Sequence, residues 1–566
     1  MFIPTTREEM MDQGWDGLDV ILVTGDAYID SSYIGVAVIG KVLLARGYRV
    51  GIIAQPDLES GTDIARMGEP ELFWGVTGGC VDSMVSNYTA MNKPRREDDL
   101  TAGGRNVRRP DRACIAYTNL IRHYFRHTVP IVLGGIEASL RRIAHYDYWS
   151  DSVRRSILLD AKADLIVYGM GESTVVELAD HLRQGKSVET LRGTCFMTRE
   201  RREGYVELPD YPTVATDKRA FAHMFMLFSR NNDPLTAKGL QQRYGDRYLT
   251  HNPPAMPLSP GELDRVYELD YERAVHPYYA KDGEVRALET IRSSITSHRG
   301  CYGECNFCAI SPHQGRTVVS RSEASIIREA GSIASQPWFN GIIFDVGGPT
   351  ANMYGFECSR KTKVGGCSKK RCLFPAICGD LSPNHSRQIE LLRRLRRVPG
   401  VKRVFIGSGV RYDLILADEC HGEAYLRELV AHHVSGQLKV APEHCEHNVL
   451  KLMGKPSIRV LGRFRARFQA VCQQAGKKYF LTYYFVAAYP GCTEEDMRAL
   501  ARFARDQLHH RPEQVQIFTP TPSSFASLIY WTEEDPVSGE HIFVEKSLAG
   551  KQRQKLILRG SPERNG

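Results

Sequence analysis

Three cysteines in one short loop, Cys301, Cys305 and Cys308, carry the most specific chemistry in the 566-residue chain. They stand in C-Y-G-E-C-N-F-C, directly after the strand-like run Ile291–His298. The spacing C-x3-C-x2-C offers three thiolates to a four-iron cluster and leaves one iron without a protein ligand. An iron left open in this way can take a small chelating molecule and pass it an electron. Zinc is the competing reading, but closed zinc sites take four protein ligands, normally as paired C-x2-C units. A lone triplet between a strand and the helix-like segment Ser322–Ala334 fits the cluster instead.

Such a loop must be held at the end of a strand. From about Arg286 a βα series begins, with strands expected at Ile291–His298, Gly341–Val346, Val401–Ser408, Gln437–Val440, Tyr479–Ala487 and Gln514–Thr519. Helices are expected between most of them, including His385–Arg397, Glu423–Val434 and Glu494–Leu508. Six such units are too few to close an eight-stranded barrel and predict a partial (β/α)6 barrel, with its chemistry at the carboxyl ends of the strands. The cysteine loop falls there.

The N-terminal third alternates strands and helices: Asp19–Thr24, an amphipathic run Tyr33–Arg46, Val50–Ala54, then Pro130–Leu133 and Asp164–Tyr168. The last two flow into Gly134-Gly135 and Gly169-Met170-Gly171-Glu172, which predicts a doubly wound parallel sheet with its loops at the carboxyl edge. The expected division is an α/β domain over 1–202, a connecting segment with short helices over 203–284, and the barrel over 285–535 with a cysteine-rich insertion at 351–384. A basic tail over 536–566 completes it; its end, His541–Gly566, has six Lys or Arg against two Glu and reads as mobile. Arg95–Arg112 reads as a surface loop.

Apolar content of 42% and charged content of 25% are ordinary for a soluble globular protein. No apolar run reaches the length of a membrane span, and the N-terminus lacks the apolar core of a signal peptide. Fourteen cysteines in this setting read as reduced thiols and metal ligands, and the expected location is the cytoplasm. A net charge of +8 permits an RNA partner without requiring one.

Four further cysteines, Cys358, Cys367, Cys372 and Cys378, lie in the insertion among Lys and Arg, which favour the thiolate form. They suit a second iron–sulfur cluster or a structural zinc. The other seven cysteines are scattered and most read as buried small hydrophobes, with Cys445 beside Glu443-His444 the one to watch. Ser408-Gly409-Val410-Arg411 ends the third barrel strand, where Arg411 could hold a carboxylate bidentately. Arg463, Phe464, Arg465, Arg467 and Phe468 invite a nucleic-acid reading, but their spacing of four describes an outer helix with one apolar stripe.

The cysteine loop resembles that of the radical-SAM superfamily, down to the aromatic Phe307. The resemblance implies that S-adenosylmethionine chelates the open iron, that Gly347-Gly348 approaches its methionine part, and that Arg411 pairs with its carboxylate. The usual third residue of that glycine motif is Glu; here it is Pro349. Leu438–His444 resembles the fourth-strand region of methylthiotransferase-type radical enzymes, placing Glu443 and His444 toward adenosine or substrate. Tyr489-Pro490-Gly491 resembles the turn beneath the adenine.

Over nearly its full length the chain resembles the YgiQ family of radical-SAM proteins. The resemblance rests on Gly25–Asp30, Gly134–Arg142, Ala144–Trp149, the cysteine loop, and Gly347–Tyr354 with its following cysteines. It implies a [4Fe-4S] core that cleaves S-adenosylmethionine to a 5′-deoxyadenosyl radical, fed by an electron donor such as flavodoxin or ferredoxin. It implies no substrate. The N-terminal domain is similar in pattern to cobalamin-binding domains, whose D-x-H-x-x-G motif becomes Asp30-Ser31-Ser32-Tyr33-Ile34-Gly35. Ser32 at the histidine position argues against direct cobalt ligation by the protein, which favours a structural domain or a substrate gate over cobalamin bound without that ligand. Glu137, His145, Asp147 and Asp151 line a cleft or form a buried ionic network. Rival readings are an RNA- or ribosomal-protein-modifying enzyme of methylthiotransferase type, and an iron–sulfur regulatory protein.

Overall fold

The computed structural model describes residues 1–560 except Lys369, Arg511, Glu513 and Gln514. Two of the expected elements therefore lie partly outside the described residues: the strand Gln514–Thr519 at its first residue, and the tail at 561–566. The chain divides into two units, Met1–Arg292 with Pro312–Gln314, and Ser293–Ser311 with the rest of the chain.

The first unit is built on a nine-stranded sheet. Its strands are β1 (Val20–Thr24), β2 (Val50–Ala54), β3 (Phe73–Thr77), β4 (Ile131–Gly134), β5 (Leu165–Val167), β6 (Thr194–Thr198), β7 (Val206–Leu208), β8 (Leu240–Tyr244) and β9 (Arg247–His251), in the order β7-β8-β9-β6-β5-β4-β3-β1-β2. The five strands from β2 to β5 are parallel, in the flavodoxin-like succession 2-1-3-4-5. Strands β1 and β2 are short β-branched runs buried along their length, the composition of a parallel sheet covered on both faces. Helices Gly35–Leu44 and Glu172–Arg183 pack together and bury Val36, Ala37, Val175 and Val176 with Leu22, Ile52 and Leu165.

The segment 203–284 departs from the expected connector. It supplies β7, β8 and β9, and the β8–β9 hairpin pairs antiparallel with β6. Its buried polar residues disguised it: Gln242 is fully buried, with its amide donating to the Pro209 carbonyl at 3.0 Å.

In the second unit the strands are β10 (Ser294–Thr296), β11 (Ile342–Ile343, resuming as Asp345–Gly347), β12 (Arg403–Val404), β13 (Gln437–Glu443), β14 (Phe480–Ala487) and β15 (Gln516–Ile517). They pair in parallel in chain order, with a Val410–Val440 bridge joining the third and fourth. This is the expected partial barrel. Its helices are amphipathic and capped: Thr493 and Asp496 form a capping box on Glu494–Asp506. Helix Ile458–Gln474 buries Phe464 and Phe468, the stripe that outweighed a nucleic-acid reading.

The C-terminal stretch differs from the expected mobile tail. Residues Leu548–Arg559 form a helix capped by Ser547. Its Gln554 accepts from the Ala488 amide at 2.8 Å and donates to the Cys492 carbonyl at 2.9 Å, and Lys551 reaches the Tyr530 hydroxyl at 2.8 Å. Polar side chains dock it, so its composition reads as solvated.

Candidate iron–sulfur and S-adenosylmethionine site

The cysteine loop follows β10 at the carboxyl edge of the barrel. Each of its sulfurs meets a hydrogen donor. Cys301 Sγ accepts from the Gly303 amide at 3.3 Å and lies 3.8 Å from Thr350 Oγ1. Cys308 Sγ accepts from the Ile310 amide at 3.4 Å, and Arg411 Nη1 reaches Cys305 Sγ at 3.9 Å. A Cβ on Gly303 would stand 3.3 Å from Cys301 Sγ, 3.5 Å from Cys305 Sγ and 3.2 Å from Arg411 Nη1. The loop therefore turns around a hollow that a side chain would fill.

Donors aimed at sulfur stabilise thiolates and tune a cluster, so the residues present fit a [4Fe-4S] group. Among the described residues no three His, Cys, Asp or Glu are gathered as ligands of one metal ion. A four-iron cube takes one thiolate at each of three corners, and its ligands stand further apart. Burial pushes the Cys308 thiol up to about 12, with Cys305 adding to it, and raises Cys301 by the same causes. Loading the cluster must therefore displace thiol protons.

Other carboxyl-edge loops converge on this one. Phe307 meets Tyr489 edge-on with centroids 6.2 Å apart, and its carbonyl lies 3.4 Å from Thr521 Oγ1. Glu443 pairs with Lys455 at 3.3 Å, both buried, and Lys455 Nζ lies 6.0 Å from the Phe307 ring centre. Glu304, Glu443 and Ala488 all hold left-handed backbone, with φ of 43°, 68° and 57°. Such strain costs about 1–3 kcal/mol per residue and gathers at functional sites.

Gly347 ends β11, and its carbonyl accepts from the Ser297 amide at 2.6 Å. A Cβ at Gly348 would stand 2.6 Å from the His298 carbonyl oxygen, so this turn can only be glycine. The Ser408 hydroxyl donates to Asp345, which also accepts from the Ser408 amide at 3.1 Å. Arg411 is placed differently from a free carboxylate clamp. Its Nε and Nη2 both donate to Asp413, the first at 2.8 Å, because a guanidinium this deeply buried needs a counter-charge. Nη1 is the nitrogen directed at the thiols. Burial opposes the Arg411 charge, but Asp413 and the nearby thiols outweigh it and hold its pKa above the ordinary value.

Sequence reading missed Asp345, Thr350, Asn352, His385, Asp413, Asp418 and Lys455. Thr350 and Asn352 were visible as part of Gly347–Tyr354, without a role. His298 was missed too. It is fully buried, and burial pulls its pKa down to about 4. Unfolded, the ring protonates below about 6.5, whereas folded it stays neutral to about 4, so stability is lost as pH falls through that window. His145 and His444, also near 4 by burial, act in the same direction. The melting temperature should fall between pH 6.5 and 4, and less steeply in His298→Gln; identical profiles would contradict this.

Of the second cysteine set, Cys358 is buried with Tyr302, Leu373 and Leu381, and Cys301 and Cys372 pack against this cluster. The Cys378 amide donates to the Cys372 carbonyl at 2.8 Å, and Cys367 Sγ accepts from Arg360 Nη1 at 3.2 Å. Burial pushes Cys372 up to about 11. Of the scattered cysteines five are buried, in line with the expectation for most of them; Cys420 is exposed and Cys80 half-buried.

In the first unit the sheet order reverses between β1 and β3, where such folds bind ligands beyond the strand ends. The chain itself occupies this crevice. The loops after β1 and β3 abut so closely that a Cβ on Gly25 would stand 2.3 Å from the Gly78 carbonyl oxygen. Arg109, from the supposed surface loop Arg95–Arg112, is buried there, donating to the Gly25 carbonyl at 3.0 Å and pairing with Asp26 at 2.6 Å and Asp98 at 3.1 Å. Glu137 accepts from the Ser83 and Cys114 amides at 3.0 and 3.1 Å, Asp147 pairs with Arg112 at 2.7 Å, and Asp151 accepts from the Tyr146 hydroxyl at 2.6 Å. His145 Nδ1 lies 3.0 Å from the Ile143 carbonyl.

Residues 2–294 match the family described as Radical SAM N-terminal. A UPF0313 protein of Fusobacterium nucleatum is 52% identical over 98% of both chains. Another, from Thermotoga petrophila, is 47% identical over 98% of both. The chain belongs to the UPF0313, or YgiQ, family of radical SAM proteins.

The UPF0313 chain also shares its fold with solved radical S-adenosylmethionine enzymes. The radical S-adenosylmethionine methyltransferase TsrM from Kitasatospora setae, solved with cobalamin and a [4Fe-4S] cluster, superposes with a TM-score of 0.51 at 16% identity, covering 90% of this chain and 73% of that one. OxsB, solved with aqua-cobalamin and S-adenosylmethionine, gives a TM-score of 0.51 at 10% identity, covering 93% and 56%. At these identities the likeness is one of fold. The cobalamin held by both neighbours stands in tension with the expectation against it here. Among its described residues no helix is long and apolar enough to cross a membrane.

Proposed function

We propose that this protein is an enzyme that reductively cleaves S-adenosylmethionine and uses the resulting 5′-deoxyadenosyl radical to take hydrogen from a substrate. The reading is carried by the three loop thiols at the carboxyl edge of the barrel, each with its own hydrogen donor, two of which, Cys301 and Cys305, flank the hollow at Gly303. Cys301, Cys305 and Cys308 would hold a [4Fe-4S] cluster; when bound, it supplies the electron that splits the sulfonium into methionine and the radical. Gly347 and Gly348 keep the turn beside the loop free of side chains. Phe307, Tyr489, Glu443 and Lys455 bound the same edge and exclude water from it. A flavodoxin or ferredoxin suits as the electron donor, in a cytoplasmic setting where thiols stay reduced. Cys358, Cys367, Cys372 and Cys378 would hold a second iron–sulfur cluster or zinc. Cobalamin takes no part in this reading, and neither RNA modification nor a purely regulatory cluster gains support.

The test is anaerobic: reconstituted protein, dithionite and S-adenosylmethionine. Methionine and 5′-deoxyadenosine should form in equal amounts. A fully loaded protein that forms neither would overturn the assignment.

A further inference from the structure

Arg411 stands at the centre of a buried chain of hydrogen bonds that the cleavage chemistry itself does not require. Its side chain is fixed by Asp413 through two nitrogens, leaving Nη1 3.9 Å from Cys305 Sγ. Its backbone is fixed by one side chain, Asn352, whose Oδ1 accepts from the Arg411 amide at 2.7 Å while Nδ2 donates to the Arg411 carbonyl at 3.0 Å. Asn352 is held in turn by His385, its Nδ2 lying 3.2 Å from His385 Nε2. His385 Nδ1 faces Asp418 Oδ2 at 2.8 Å, and the same carboxylate oxygen accepts from the His385 amide at 2.7 Å. Only one tautomer satisfies every partner: Nδ1–H donates to Asp418, and Nε2 accepts from Asn352. Tyr425 stacks on the ring with centroids 4.6 Å apart. Asn352 and His385 are fully buried, and Arg411, Asp413 and Asp418 nearly so.

A network this completely satisfied fixes one geometry. Its output is a permanent positive charge and an N–H aimed at one cluster sulfur. Hydrogen bonds to sulfur and local charge are levers that set the potential of an iron–sulfur cluster, because they stabilise the extra electron of the reduced state.

We infer that Arg411 sets the reduction potential of the cluster through Cys305, and that Asp413, Asn352, His385 and Asp418 are positioning residues that hold it in place. This rests on the cluster assignment above and extends it. The role differs from the carboxylate clamp expected from sequence, since the fork that would grip a carboxylate is already on Asp413.

Redox titration of the reconstituted protein, followed by the electron paramagnetic resonance of the reduced cluster, tests this. Arg411→Gln/Asp413→Asn removes both charges together and leaves neither stranded. It should make the cluster harder to reduce, lowering the ratio of reduced to oxidised protein at fixed potential about tenfold, or about 59 mV for a one-electron couple. Asn352→Ala keeps the ion pair but releases the Arg411 backbone, and should shift the midpoint the same way by less. Arg411→Lys keeps the charge and should fall between wild type and the double variant. Variants that load iron normally and titrate at the wild-type midpoint would overturn the inference. So would variants that load no iron, which would make Arg411 a prop of the loop. A wild type that loads no cluster would instead remove the assignment beneath it.

Discussion

Replacement of Cys305 by alanine is expected to abolish S-adenosylmethionine cleavage while leaving the barrel folded. Cys305 is half-buried and takes no part in the apolar cluster that packs Cys301 and Cys372 around Tyr302. Its loss therefore removes a thiolate with little loss of packing. Two remaining thiolates cannot hold a four-iron cube, and a group bound only by the folded loop dissociates when its ligand set is broken. Iron at this site should drop to background, 5′-deoxyadenosine should become undetectable, and the far-ultraviolet circular dichroism should match wild type. Undiminished iron and turnover in this variant would contradict the assignment.

Arg109→Ala is expected to be the most damaging single change in the first unit. The guanidinium pairs with both Asp26 and Asp98 where the loops after β1 and β3 meet, and all three residues are buried. Removing one partner of a buried ionic group strands the rest, at about 3–5 kcal/mol. The first melting transition should fall by about 10 °C. Burial already raises the Asp26 pKa despite Arg109, so Asp26→Asn in the same chain should recover part of the loss. A variant that melts with wild type would show that the crevice is not closed by this cluster.

The cysteine loop was legible because its ligand spacing is local, and the barrel because its strands and helices alternate with clear periods. Other features were hidden by the physics that makes them work. Strand β3 is the middle one of the five parallel strands, yet its run Phe-Trp-Gly-Val-Thr was passed over. Its Gly75 lies so close to β1 that a Cβ would stand 2.6 Å from Leu22 Cδ2, a close approach that costs the strand its apolar signature. The β8–β9 hairpin and the C-terminal helix bury Gln and Lys side chains that find partners only in the fold, so polarity alone mistook them for connector and tail. Arg109 reads as one charge in a basic loop until Asp26, 83 residues away, is placed beside it. The network behind Arg411 joins Asn352, His385, Asp413 and Asp418 across three separate stretches of the chain, and no local pattern marks it. Spacing shows where ligands lie; it does not show what holds them.

The central claim is that one corner of the cluster at Cys301, Cys305 and Cys308 is open and takes S-adenosylmethionine. Electron paramagnetic resonance of the reduced protein, recorded before and after adding S-adenosylmethionine, addresses that corner directly. The account predicts a changed signal on addition, absent from Cys305→Ala. A cluster whose spectrum is indifferent to S-adenosylmethionine would contradict it.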